Sequence, residues 1–108
     1  MEKLMPAAIF VVRATVPDPA QRDAFDRWYR DVHLPDAIKS FGARKAWRVW
    51  SLTDPAVHQA MYQFDDTAAM ERAVDGEEMK RLIADFNRDW PEVTRTRESF
   101  ALAQIVGE

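Results

Sequence analysis

Extended runs rich in β-branched and aromatic residues alternate with amphipathic helical runs in one order along this chain, β-α-β-β-α-β. No other feature constrains the fold as strongly. "AAIFVVRATV" (Ala7 to Val16) reads as the first strand. "PDPAQ" opens a helix, with Asp18 suited to the N-cap, Pro19 to the first helical position and Gln21 to closing a capping box. Phe25, Trp28, Tyr29 and Val32 follow at helical spacing, with charges on the other side. Pro35 disfavours a helical Leu34, so this helix is expected to end near His33. "PDAIKSFG" then adds a short further helical turn, stopped by Gly42. "ARKAWRVWSL" and "VHQAMYQF" read as a second and third strand joined through a "TDPA" turn. Asp65 or Asp66 caps "TAAMERAV", and Gly76 interrupts it. "EEMKRLIADFNRDW" resumes with Met79, Leu82, Ile83 and Phe86 on one face and is closed by Pro91. "TRTRESFALAQIV" is the fourth strand.

This order predicts an α+β, ferredoxin-like fold in a single domain over residues 1–108, a four-stranded antiparallel sheet with helices on one face. The other face should be polar if the chain stands alone, and it does not read that way. Ile9 and Val11 oppose Phe10 and Val12 in the first strand, and Trp47 and Val49 oppose Ala46, Trp50 and Leu52 in the second. Val57 and Met61 oppose Ala60, Tyr62 and Phe64 in the third. A sheet apolar on both faces needs a second cover, and the simplest is another copy, sheet against sheet, in a two-fold homodimer.

Composition narrows the function classes. With 15 Lys and Arg against 18 Asp and Glu, the net charge of -3 leaves no basic surplus for a nucleic-acid partner. Cysteine is absent, which removes disulfides, thiolate nucleophiles and cysteine-ligated metals. The opening "MEKLMPAAIFVVRATVPD" has an apolar run too short for a membrane span, followed by Arg13 and a proline turn rather than a cleavage site. A cytoplasmic protein without membrane attachment is expected. The two histidines lie 25 residues apart in number, without an HxxxH spacing, so no metal is expected. Three isolated glycines offer no dinucleotide loop, and no serine sits in a nucleophile elbow. No cofactor is expected.

The chemistry-bearing stretch is "WYRDVHLP". His33 lies four residues after Tyr29 and eight after Phe25, at the border of the apolar stripe in the last helical turn. A half-shielded imidazole there suits general acid-base work, and it equally suits capping the helix end. The Tyr29 hydroxyl could donate to a substrate oxygen, or the ring could be ordinary core. Trp28, Trp47, Trp50 and Tyr62 are the aromatic candidates for lining a site for a flat apolar ligand, against plain packing in core or interface. Arg48, with Arg13, Arg95 and Arg97, lies in or beside a strand, where it either forks onto a substrate oxygen or pairs with a carboxylate. Arg95 and Arg97 share one face, opposite Thr94 and Thr96. His58 begins the third strand after a turn and is expected to be solvent-exposed. Asp31, Asp36 and Asp54 are accounted for by helix ends and turns.

From about Ala7 to Val106 the layout resembles the dimeric α/β-barrel superfamily. Within it, "FDRWYRDVHLP" resembles the aromatic-x-x-x-His-x-Pro signature of EthD-like proteins. The resemblance implies a homodimer and a cleft between helices and sheet for a small molecule. It leaves the reaction open, since the superfamily includes oxygenases, cyclases, decarboxylases and isomerases. The expectation is a homodimeric small-molecule-binding protein, a cofactor-free acid-base enzyme on a small aromatic or polyketide-like compound. His33 would be its base, and Tyr29 or a nearby arginine would steady the oxyanion. A sugar mutarotase-like enzyme shares the tyrosine-x-x-x-histidine spacing, but its paired tryptophans are missing where this chain reads "MKRLIADF". A haem protein of the superfamily would have a strand-one asparagine, whereas the only asparagine here is Asn87. A non-catalytic ligand-binding or stress-related dimer, with a structural His33, is the remaining alternative.

Overall fold

A computed structural model describes residues 6–107. Its strands are β1 (Ala8–Thr15), β2 (Lys45–Trp50), β3 (Val57–Phe64) and β4 (Thr94–Ala101). Its α-helices are α1 (Arg22–Trp28), α2 (Leu34–Phe41), α3 (Thr67–Val74) and α4 (Glu77–Asp89). The strands form one antiparallel sheet in the order β2-β3-β1-β4, with the helices on one face, as the ferredoxin-like pattern requires. β1 and β3 are central. β4 therefore lies beside β1 at one edge, and β2 lies beside β3 at the other.

The path from β1 to β2 departs from expectation in an instructive way. Asp18 does cap the start, its Oδ1 accepting from the Ala20 N–H at 2.9 Å, but Gln21 makes no capping bond and Pro19–Gln21 is a 3-10 turn. The helix does not end at His33. It passes through a π-helical turn, Tyr29–His33, directly into α2, and the Leu34 N–H bonds to the Tyr29 carbonyl five residues back. Pro35 is the physical cause. Within regular α-helix its ring would press against the Asp31 carbonyl, and a widened turn relieves that clash. Leu34 keeps helical backbone (φ -66°, ψ -45°) despite preceding proline.

The wide turn also decides which side chains face inward. Residues four apart on a 3.6-residue helix drift by about 40° per step, and the π turn takes part of that drift back. Phe25, Tyr29, His33 and Ala37 consequently form one buried line, whereas Val32, expected on the apolar stripe, is turned out and 54% exposed. Trp28 and His33, five residues apart, stack with ring centroids 4.5 Å apart and planes 16° from parallel.

The later elements follow their signals. Gly42 takes the left-handed φ of 67° that stops α2. Asp66 caps α3, accepting from the Ala69 N–H at 2.8 Å, while Asp65 pairs with Arg44. Met79, Leu82 and Phe86 of α4 are buried. Leu52, expected on β2, lies beyond the strand's end and is fully exposed. His58 corrects another expectation. Its position opposite Ala14 and Trp50 in the sheet buries it completely, at 0% exposure, rather than leaving it at an edge in solvent.

Phe25 is the hub of the helix–sheet interior. Its ring meets those of Trp90, His58 and Tyr29 at centroid distances of 5.1, 5.3 and 5.4 Å, and also those of Phe86, Trp28 and Trp50. These neighbours come from α1, the π turn, β2, β3, α4 and the segment after α4, so one ring joins helices to sheet. On the opposite sheet face no helix covers Ile9, Val11, Trp47, Val49, Met61 and Phe100, which alternation places together with Arg13, Gln59, Gln63 and Glu98. Phe25→Ala should cost about 3–5 kcal/mol of stability, read from the shift of the urea unfolding midpoint at constant slope.

Candidate functional site

Between the sheet and the helices lies a narrow cavity, with about 30 Å³ in which the centre of a water molecule can move. That is room for roughly two waters. Its floor is Phe10 and Val12 of β1, and its upper wall is Ala37 and Phe41 of α2 with Leu82 and Ile83 of α4. Five polar side chains enter it: Tyr29 and His33 from the π turn, Tyr62 from β3, and Arg95 and Arg97 from β4. Among the described residues no carboxylate lines it. α4 is tied to α2 beside it by Arg81, which holds both Asp36 oxygens at 3.0 Å and the Ser40 hydroxyl at 2.8 Å. A ring-sized ligand requires the two helices to part.

The electrostatics follow from burial. His33 is 8% exposed between Trp28 and Phe86, and loss of hydration pushes its pKa down from 6.5 to about 4. The Asp36 carboxylate opposes that shift, and the Arg95 charge reinforces it. The imidazole is thus neutral at pH 7 and able to accept a proton. Burial pushes the Tyr29 hydroxyl up to about 12, with the neighbouring Tyr62 hydroxyl acting the other way, and drives Tyr62 well above its usual range. Both phenols stay protonated and can donate. The Arg95 guanidinium lies over the Phe86 ring, 3.9 Å from its centroid, and donates to Asn87 Oδ1 at 2.7 Å.

Of the residues singled out in the sequence, the cavity brings together His33, Tyr29 and Tyr62. Trp28 stands behind His33, stacked on it. The other three lie elsewhere. Trp47 points to the uncovered sheet face. Arg48 and Trp50 share the helix face but sit on β2, at the edge away from β4, where both donate to Asp26 Oδ1 of α1, at 2.6 and 2.8 Å. These two bonds, Arg48 first, hold the Asp26 carboxyl below its usual range. The Arg48 Nη1 also lies 3.4 Å from Nε2 of His58, which makes Nε2 the acceptor and leaves the proton on Nδ1, an atom without a partner among the described residues. Arg95 and Arg97, given no more weight than the other strand arginines in the sequence, are the ones that reach the cavity. The signal was their shared face in "TRTRE", and what was missing was which strand edge the cavity sits over.

Comparison with known proteins speaks to the fold. No protein-family profile matches the chain, and no curated protein does. Among solved structures it is similar to an ethyl tert-butyl ether D (EthD) family protein from Bacillus halodurans. The identity is 20%, the coverage 83% of this chain and 96% of that one, and the TM-score 0.61. It is similar also to SnoaB, a cofactor-independent oxygenase from Streptomyces nogalater (17% identity, 95% and 99% covered, TM-score 0.67). A third is a protein from Nitrosomonas europaea described as an antibiotic biosynthesis monooxygenase (16%, 99% and 100%, TM-score 0.67). At these identities the likeness shows a shared ferredoxin-like α/β fold. Among the described residues no three His, Asp or Glu side chains converge as a metal site would need, and no helix is long and apolar enough to cross a membrane.

Burial gives the histidines a pH signature. His33 and His58 each have a folded pKa of about 4 against 6.5 for the free side chain, so the unfolded chain binds more protons between those values. The stability they contribute is whole above about pH 6.5 and is lost as pH falls toward 4, on the order of 3 kcal/mol for each. Proton NMR of the two imidazoles should show neither titrating above about pH 5, with the urea midpoint falling over the same span. An imidazole titrating at its ordinary value would show that it is not held neutral by burial.

Proposed function

We propose that this chain is a homodimeric small-molecule-binding protein and a cofactor-free acid-base enzyme. Its substrate is a small aromatic or polyketide-like compound, and its reaction is of isomerase, cyclase, decarboxylase or monooxygenase type. The observation that carries this reading is one cavity combining a neutral buried imidazole, two protonated phenols and two arginines in an otherwise apolar wall.

The chemistry follows from the cost of charge there. An isolated imidazolium at His33 is unfavourable, so His33 takes a proton only when the anion left behind stays beside it. A ligand O–H or acidic C–H held against His33 meets that condition. The proton moves to the imidazole, the electron pair stays on the ligand, and the Tyr29 hydroxyl and the Arg95 guanidinium hold the oxyanion. Trp28, stacked on the ring, fixes its plane, and the apolar walls keep bulk water from competing for the proton. The EthD-family protein and the cofactor-independent oxygenase of similar fold are consistent with this class of site. The second copy is proposed on the uncovered sheet face, where Trp47, Val49, Met61 and Phe100 need a partner surface.

Native mass spectrometry of gently purified protein tests both parts. The expected mass is twice the 12.5 kDa chain, with a reproducible organic adduct of aromatic character. His33→Ala should keep the dimer and adduct and lose at least about a hundredfold in turnover of the compound so identified. Unchanged turnover in that variant would overturn the acid-base role and favour a non-catalytic binding module. A monomer would remove the sheet-on-sheet dimer.

A further inference from the structure

Five of the eleven arginines of this protein are paired with acids among the described residues. Arg30 pairs with Asp31, Arg44 with Asp65, Arg48 with Asp26, Arg81 with Asp36, Glu78 and Asp85, and Arg88 with Asp85 and Asp89. The other six have no carboxylate within ion-pair distance among the described residues, and of these Arg95 and Arg97 line the cavity. They are positioned by the pairing of β4 with β1, where Arg95 stands opposite Ala14 and Arg97 opposite Val12. Small and apolar neighbours therefore hold no counter-charge for them.

Their surroundings differ. Arg95 is half-buried, its guanidinium laid on Phe86 and one nitrogen committed to Asn87, which leaves its other N–H groups without a side-chain partner among the described residues. Arg97 is exposed at the cavity's rim and makes no side-chain hydrogen bond among the described residues. Residues two apart on a strand are separated by about 6.7 Å, roughly the span of one substituted aromatic ring. Two like charges facing one cavity repel, and an anion between them relieves that repulsion while supplying the missing partner.

We infer that Arg95 and Arg97 form a two-point anion-recognition strip, and that the ligand of this cavity is an aromatic acid carrying a carboxylate and, about one ring away, an ionisable hydroxyl or enol. Arg97 takes the carboxylate at the rim. Arg95 takes the oxygen that ionises beside His33. This assignment rests on the acid-base reading for the second oxygen only, since the rim contact needs no proton transfer.

The test is a titration followed by amide NMR at pH 7 with two probes, para-hydroxybenzoate and its neutral analogue para-hydroxybenzamide. Wild-type protein should bind the benzoate about tenfold or more tighter than the amide, with the cavity residues shifting. Arg97→Gln, an exposed position where folding is not at stake, should abolish that preference by weakening benzoate binding far more than amide binding. Equal affinity for both probes in wild type, or a preference that survives Arg97→Gln, overturns the inference, as does failure to bind either probe. The same preference is read in His33→Ala. It persists there if the strip is right even when His33 moves no proton, so the two proposals fail separately.

Discussion

Pro35 inside an unbroken helical path is the constraint on which the rest of the site depends. A proline that cannot donate and cannot tolerate the carbonyl four residues back leaves the chain two choices, to stop the helix or to widen it. This chain widens it, and the π turn at Tyr29–His33 brings Tyr29 and His33 onto the buried line that begins at Phe25 and continues to Ala37. A regular turn would have carried Val32 inward instead. The same widening places Trp28 flat against His33, which is how the imidazole acquires both its orientation and much of its burial. Backbone strain relief, side-chain direction and pKa are one chain of cause here.

The interior around that turn is aromatic rather than aliphatic, and this has a consequence for charge. Phe25, Trp28, Tyr29, Trp50, Phe86 and Trp90 pack edge to face about two histidines that burial keeps neutral. The histidines differ in what surrounds them. His58 faces Arg48, which Asp26 balances, and it is not among the residues lining the cavity. His33 faces a cavity whose nearest cation, Arg95, has no carboxylate partner among the described residues. Only the second arrangement leaves a place for an anion to form, and that is why the functional reading belongs to His33.

Much of the fold was legible because period and punctuation agree. Strand alternation, the Asp18 and Asp66 caps, the Gly42 stop and the apolar face of α4 each act over a few residues, so local sequence suffices to read them. Val32 and His58 were misread for a shared reason. Val32 was placed by assuming 3.6 residues per turn where the helix has a wider turn, and His58 by its position at a strand's start rather than by its pairing with Ala14 and Trp50. The second fact is not local, and the first needs the geometry that Pro35 imposes on its own helix. Arg48 and Trp50 read as site residues by type alone, and their bonds to Asp26 on α1 hold them at the sheet edge away from the cavity.

The sequence by itself determined the ferredoxin-like order of elements and the juxtaposition of Tyr29 and His33, because these follow from spacing along the chain. Tertiary structure alone decided which residues complete the site. The strand order β2-β3-β1-β4 puts β4, and so Arg95 and Arg97, beneath the π turn and α4, and it sends Arg48 to the far edge. Four strand arginines with similar local context thereby acquire different roles, since a side chain's partners are set by which strands lie next to each other and not by its neighbours in the chain.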